Sequence, residues 1–412
     1  MSERIRVMLL LSSLHGGGAE RVAVHLHNQC DPAQFDVRMG LLRRAGPFLA
    51  EADPTRVDAS PIGQDLLVFE GHNSGFYRPD RLLAATTLAP ANLGRMIRAH
   101  RPHVVMSFLK GMTLMTWAVL GSMGANRPAW IAREGNNTDA VIDDELNNPI
   151  AKAVVRHITR RAYRRADCFL ANSHEMARGL EARLGLDHRR VRVIHNPIDI
   201  ERVQHLSRQP LPFEQTRPFI VTVGRLERQK AHDLLLQAFA ASGLNASHDL
   251  IIIGRGTREH DLRRQASQLG LADQVKFVDF TDNPWAFVSK AKLFVLPSRW
   301  EGFPTALVEA LACGAPALAT ACEFGPAEIV EHGVSGWITQ PEDPQAFARA
   351  MSNLIAQPAL TASFAAAGPL RVAQYDLDSM VSAYNHLFLE QAQTKRAPIR
   401  LPATVVPEPA AA

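Results

Sequence analysis

Glu301 and Glu309 lie in the run Pro297-Ser-Arg-Trp-Glu301-Gly-Phe-Pro-Thr-Ala-Leu-Val-Glu309-Ala-Leu. An apolar segment, Leu293–Leu296, precedes it, and Pro304 suits the first turn of a helix. At about 3.6 residues per turn, Glu301 falls in the loop at the helix mouth and Glu309 about a turn and a half along its side. The backbone of Gly302, Phe303 and Pro304 lies between the two carboxylates. Such a layout can grip a sugar hydroxyl, a phosphate and a ribose diol together. The bland alternative makes Glu301 a helix cap and Glu309 a solvated side chain. Against it, Leu307, Val308, Ala310 and Leu311 surround Glu309, so its carboxylate should be partly buried and need a partner.

Cations form a second group. Val223-Gly224-Arg225-Leu-Glu-Arg-Gln-Lys230 leaves a strand and enters a helix. Arg225, through its planar fork, and Lys230, as a point charge, could hold a diphosphate. Two solvated cations are the alternative, but cations at a helix start oppose its dipole. Near the N-terminus, Gly16-Gly17-Gly18-Ala19-Glu20 follows an apolar run. Its glycines let the backbone approach a ligand, and the next helix offers N–H groups to an anion; a tight turn explains the motif equally well. The third glycine of a dinucleotide fingerprint is missing there, and also from Ile253-Gly254-Arg-Gly256-Thr257, which reads as a turn beside a nucleotide base. Cys322-Glu-Phe-Gly-Pro-Ala-Glu328 is either a pocket-shaping turn or a simple loop.

Elements must position these groups. Short apolar runs at Ile5–Leu11, Asp36–Leu42, His103–Phe108, Ala129–Ala132, Cys168–Ala171 and Val191–Ile194 alternate with helical stretches such as Ala19–Gln29, Arg81–Ala99 and Ala151–Arg165. The second half repeats the alternation, with strands at Phe219–Val223, Leu250–Ile253, Val275–Phe277, Leu293–Leu296 and Ala317–Ala319. Its helices are expected at Lys230–Ala241, Glu259–Leu269 and Pro304–Ala312. Strand then helix, repeated, predicts α/β architecture with parallel sheets covered on both faces. Two doubly wound, Rossmann-like domains are expected, over residues 1–200 and 217–376, with a Pro-rich linker over 201–216 between them. A helix over 377–394 is expected to pack back on the first domain, and the Pro- and Ala-rich tail 395–412 to be disordered. Ligands of such folds bind in the cleft at the carboxyl ends of the strands, where these motifs fall.

Composition narrows the function. A chain of 412 residues suits two domains, and 46% hydrophobic with 21% charged residues excludes a disordered chain. The net charge of +4 is local, because residues 151–192 hold eleven Lys or Arg against four Asp or Glu. This argues against a nucleic-acid-binding protein. Within that segment Lys152, Arg156, Arg160 and Arg164 recur every four residues on one helical face. The face could sit on anionic lipid, bind an anionic acceptor or simply be solvated. Cys30, Cys168, Cys313 and Cys322 lack metal-ligand spacing, and a cytoplasmic setting follows. Val7–Leu11 is too short for a signal peptide core, and no apolar stretch of about 20 residues could span a membrane.

Taken in order, the motifs resemble glycosyltransferase family 4, retaining enzymes of GT-B fold, over nearly the whole chain. The family's E-x7-E motif matches Glu301 and Glu309, its phosphate clamp matches Arg225 and Lys230, and its Gly-Gly-Ala-Glu stretch matches Gly17–Glu20. Ala171-Asn-Ser173 and Val193-Ile-His-Asn-Pro197 look like further landmarks. The resemblance implies a UDP- or GDP-sugar donor bound by the second domain, an acceptor bound by the first, and two facing domains with a central cleft. Glu301, Arg225 and Lys230 would be catalytic. Gly17, Gly18, Gly224, Gly302, Phe303, Pro304 and Glu309 would bind the donor, with Glu309 on the ribose. No metal or other cofactor is expected. Many relatives carry a histidine facing the sugar, but Ser107-Phe-Leu-Lys110 and Ala132-Arg-Glu134-Gly-Asn-Asn137 contain none. Arg133, Glu134 or Asn136 would line that region instead. Those two segments look closest to bacterial members that build surface polysaccharide on lipid-diphosphate carriers, which implies an acceptor at the inner face of the cell membrane. A nucleotide-sugar 2-epimerase of the same architecture and a silent sugar-nucleotide-binding protein are the rival readings.

Overall fold

The structure, a computed structural model, describes residues 3–15, 17–59 and 88–394. Gly16, residues 81–87 of the expected second helix and the 395–412 tail lie outside the described residues.

Two parallel sheets organise the chain. The first has the order β3-β2-β1-β4-β5-β6-β7, from β1 (Ile5–Leu11), β2 (Phe35–Leu41), β3 (Val57–Ala59), β4 (Val104–Phe108), β5 (Ala129–Arg133), β6 (Cys168–Ala171) and β7 (Val191–Val193). The second has the order β10-β9-β8-β11-β12-β13. Its strands are β8 (Phe219–Val223), β9 (Asp249–Ile253), β10 (Val275–Val278), β11 (Leu293–Leu296), β12 (Ala317–Thr320) and β13 (Trp337–Thr339). Both orders reverse beside the first strand of the sheet, β1 or β8, which opens a crevice at its carboxyl end.

Burial on both faces explains the continuous apolar runs. In β1, Val7, Leu9 and Leu11 enter one core and Met8 and Leu10 the opposite one. In β9, Ile251 and Ile253 face one core and Leu250 and Ile252 the other. A strand covered on both sides has no polar face to alternate with.

The segment expected as a linker opens with a helix, Ile200–Ser207, capped by Asp199, whose carboxylate accepts from the Arg202 N–H at 2.9 Å. This helix packs on Trp285–Val288 and Thr305–Ala312 and so belongs to the second domain. The last helix, Leu377–Thr394, returns to the first domain, where Leu377, Val381, Tyr384, Leu387 and Phe388 join the core beside β1 and β4. The expected Lys230–Ala241 helix is broken: a 3-10 turn at Arg228–Lys230 gives way to His232–Ala241 through Ala231, held at φ 53°.

The basic face of the Pro149–Tyr163 helix is structural rather than free. Lys152 and Arg156 pair with Asp143 at 3.2 and 2.8 Å, and Arg156 also reaches Asp139 at 3.1 Å, both acids on the preceding Thr138–Glu145 helix. Arg160 donates to the Arg183 carbonyl and Arg164 to that of Leu184 at 2.8 Å. The four-residue spacing holds, and each of these cations engages a neighbouring element, although Arg160 and Arg164 stay exposed.

Candidate active site

The donor-side wall grows from the carboxyl end of β8. Gly224 follows it, and the aliphatic carbons of Lys230 lie 3.4 Å from where a Gly224 Cβ would stand. Ala231, fully buried in the left-handed region, turns Lys230 back toward the strand end; a non-glycine residue pays about 1 kcal/mol for that conformation. The Lys230 ammonium meets Glu301 Oε1 at 2.6 Å, with side-chain exposures of only 15% and 6%. Ser298 Oγ donates to the same oxygen at 2.7 Å, and Gln229 Nε2 donates to the Trp300 carbonyl at 3.0 Å. Arg225 is exposed at the strand end and donates to Gln229 Oε1 at 3.1 Å. Glu301 is therefore not a helix cap: the Thr305–Ala312 helix begins at Pro304 with no side-chain cap. Its first N–H groups and its positive dipole end open beside two cations, an arrangement suited to a diphosphate.

Glu309 projects from that helix. Burial raises its carboxyl to about 7; the nearby Trp285 indole, whose N–H makes no full hydrogen bond, and the Arg21 cation offset only part of the effect. A half-buried carboxylate with unused acceptor capacity matches a vicinal diol.

The facing wall comes from the first domain. Gly17 caps the Gly18–Gln29 helix, and a Cβ on Gly18 would stand 3.2 Å from Thr305 Oγ1. Glu20 accepts from its own N–H and that of Gly17, a capping-box placement; burial nonetheless lifts its carboxyl, against the pull of Arg225 and Arg133. Gly302 approaches so closely that a Cβ there would strike the Gly135 carbonyl oxygen across the cleft. Asn136 Oδ1 reaches Gln229 Nε2 at 3.5 Å, bringing the β5 loop to the Lys230–Glu301 pair.

Arg133 and Glu134 are both buried and held by partners of their own. Arg133 is buried at the end of β5, where it donates to Tyr384 Oη at 2.9 Å and to Asn196 Oδ1 at 2.6 Å. Asn196 in turn donates to the Phe303 carbonyl and to Thr305 Oγ1, both at 3.3 Å. The last helix, β5, the first crossing between domains and the donor loop thus share one buried network. Arg133 Nη1 has no partner among the described residues. Glu134 turns into the first domain, where Tyr163 and the N–H groups of Gly135 and Asn136 donate to it. Burial still holds its carboxyl above the ordinary value. Its carboxylate shapes the β5 loop and does not line the cleft. The Phe303 ring also points away, packing 5.0 Å from both His195 and Tyr375, so this residue offers the cleft only its backbone.

The Cys322–Glu328 segment, a pocket turn or simple loop by sequence, is an interdomain latch. The Phe324 ring enters the first domain's core. Glu328 accepts from the N–H groups of His174 and Glu175 at 3.2 Å each and meets His195 Nε2 at 2.6 Å. Glu175 answers by accepting from Gly325 N–H at 3.0 Å. Burial alone would raise the Glu328 carboxyl; the hydrogen bonds from His195 and the two backbone N–H groups bring it below its usual range. Glu323 adds contacts with Arg183 and Asn137. His174, His195 and Glu328 form the one group among the described residues whose ligand atoms, within 4.8 Å of one another, could hold a metal ion. It belongs to the latch and not to the Lys230–Glu301 site. No local pattern announces these contacts, which join residues about 130 to 190 apart in sequence.

Two family models match this chain: "Glycosyltransferase Family 4" over residues 16–202 and "Glycosyl transferases group 1" over residues 203–371. The chain belongs to glycosyltransferase family 4. This family 4 transferase is 25% identical over 262 residues to the N-acetylgalactosamine-N,N'-diacetylbacillosaminyl-diphospho-undecaprenol 4-alpha-N-acetylgalactosaminyltransferase of Campylobacter jejuni, a match covering 61% of this chain and 71% of that one. It is 29% identical to the lipopolysaccharide core biosynthesis glycosyltransferase LpsE of Rhizobium meliloti, covering 56% of this chain and 66% of that enzyme. Of several other curated relatives the chain spans about half the length. Among solved structures, Anabaena HepE in complex with UDP and glucose superposes with a TM-score of 0.73 at 20% identity, covering 94% of this chain and 100% of that one. This likeness shows the two-domain GT-B fold.

Proposed function

We propose that this enzyme is a metal-independent, retaining transferase that moves a hexosyl or N-acetylhexosaminyl unit from a UDP-sugar to a lipid-diphosphate-linked saccharide, peripherally at the inner face of the membrane. The observation that carries the reading is the buried Lys230–Glu301 pair, 2.6 Å apart, beside an uncapped helix N-terminus and the Arg225 cation. When the bond from the anomeric carbon to the diphosphate breaks, its electron pair goes to the leaving oxygen. Arg225, Lys230 and the helix dipole neutralise that growing charge, which is where electrostatic catalysis gains most. They supply what a divalent ion would otherwise bring. Glu301 holds donor-sugar hydroxyls and Glu309 the ribose. The acceptor hydroxyl then adds to the same face of an oxocarbenium-like sugar and gives its proton to the departing phosphate oxygen. UDP is preferred over GDP because the structurally similar HepE was solved with UDP. The Campylobacter relative's name supports a lipid-diphosphate acceptor and the Rhizobium relative's a part in lipopolysaccharide core biosynthesis.

The test incubates the protein with UDP-sugars and a short polyprenyl-diphosphate-linked saccharide. One added hexose or N-acetylhexosamine by mass, α-linked by NMR when the donor is α, is expected. An isomerised nucleotide sugar would instead establish the epimerase reading, and donor binding without turnover the silent one.

A further inference from the structure

On the outer side of the Pro149–Tyr163 helix, opposite its ion-paired face, Ile150, Val154 and Ile158 are 74%, 51% and 37% exposed. Three of the eight large apolar side chains exposed among the described residues thus fall on one helix, at a spacing that makes one stripe. Arg161 and Arg165 continue the stripe; both are exposed, and neither has an acidic partner among the described residues. Beside them a shallow cavity of about 250 Å³ is lined only by His157, Arg160, Arg161, Arg164 and Arg165. The Trp117 ring, half-buried, lines an adjoining cleft with Arg127, Arg161 and Arg165.

We infer that this outer face is a membrane-docking surface, recognising the anionic phospholipid headgroups of a bilayer. The charge pattern selects this occupant. Nucleic acid would find unpaired cations at one end only and bare isoleucine and valine at the other. An anionic bilayer offers both media at once: apolar side chains enter the headgroup–acyl boundary while the arginines and the cavity hold phosphates. Tryptophan favours the same depth. The apolar end is also the cleft end. Asn148 caps the helix there, and Asp144, four residues earlier, pairs at 3.0 Å with Arg228 in the turn that carries Lys230. Lying in the membrane plane, the helix brings the cleft mouth to the surface from which a lipid-linked acceptor projects. The inference deepens the lipid-linked acceptor reading and rests on it for its purpose, though the surface is testable alone.

The experiment is sedimentation of the full chain with vesicles of phosphatidylcholine, pure or with about a third phosphatidylglycerol. Each arginine near an anionic surface is worth about fivefold in affinity, so Arg161→Gln/Arg165→Gln should weaken binding at least tenfold. Ile150→Ser/Val154→Ser/Ile158→Ser should abolish it, and wild-type binding should fall with added salt. Both variants should keep wild-type UDP release from the donor without vesicles, since none of these residues lies at the site. Equal binding of wild type and both variants would overturn the inference, as would no binding of wild type to anionic vesicles, the result expected if a protein partner covers this face. Loss of vesicle binding with intact donor turnover separates this surface from the site reading. Binding by a protein inert toward every donor would leave the surface standing and remove the transferase chemistry.

Discussion

Glu309→Gln should stabilise the fold and weaken nucleotide binding at once, at opposite ends of one electrostatic conflict. Burial raises the Glu309 carboxyl from 4.5 to about 7. The unfolded chain therefore releases this proton at lower pH than the folded one. Ionised Glu309 costs stability that grows from about pH 4.5 and levels off above 7, with a ceiling of roughly 3 kcal/mol. Because the side chain is partly exposed, solvent screening lowers the expected figure to about 1–2 kcal/mol. Gln keeps the shape and discards the charge, so the variant should gain that amount in urea unfolding at pH 8 and much less at pH 5. Calorimetry with UDP should run the other way. An ionised carboxylate accepting from the ribose diol is worth about 1.5–3 kcal/mol, so the variant should bind at least tenfold more weakly at pH 8. Wild-type affinity should rise with pH through about 7, and the variant's should not. Equal affinities at pH 8, or a wild-type affinity flat from pH 6 to 8, would refute the assignment of Glu309 to the ribose.

Lys230→Ala should lower kcat by about 10²–10³-fold with a smaller effect on donor affinity, because its partner charge grows in the transition state; an unchanged kcat would remove it from the mechanism. Gly302→Ala must push the donor loop off the Gly135 carbonyl, so kcat/KM should fall at least tenfold; wild-type kinetics would mean that this interdomain approach is dispensable. Glu328→Ala removes the acceptor for two N–H groups and His195, and about 1–3 kcal/mol of interdomain stability should go with it, read as faster hydrogen exchange at His174 and Glu175. The Glu328 contribution is present above the unfolded glutamate value and lost as pH falls through the lower folded one, so the exchange difference between wild type and variant should shrink toward pH 3.

Much of the fold was legible because strands covered on both faces must be apolar throughout, as in Ile5–Leu11 and Phe219–Val223. Val57–Ala59 and Trp337–Thr339 were missed because each is a three-residue edge strand with no such run. The break at Ala231 was invisible because alanine favours helix, and only tertiary packing holds it at positive φ. The placement of Arg225, Lys230 and Glu301 between a strand and the next helix could be read from their motifs. Glu134 was misplaced because a loop carboxylate looks the same in sequence whether it faces the cleft or Tyr163. On Pro149–Tyr163 the spacing of cations named one face, while Asp139 and Asp143 in the preceding helix claimed it. The acids stand in the sequence four residues apart, but the short Thr138–Glu145 helix that aims them is absent from the expected elements.

In the proposed reaction Arg225 and Lys230 drive diphosphate departure without a metal ion. The deciding measurement is release of UDP from the preferred UDP-sugar, followed in EDTA for wild type, Arg225→Ala and Lys230→Ala. Wild-type release should be unchanged by EDTA, and each variant should lose at least a hundredfold in kcat. Release abolished by EDTA and restored by a divalent ion, or variants turning over as wild type does, would contradict it.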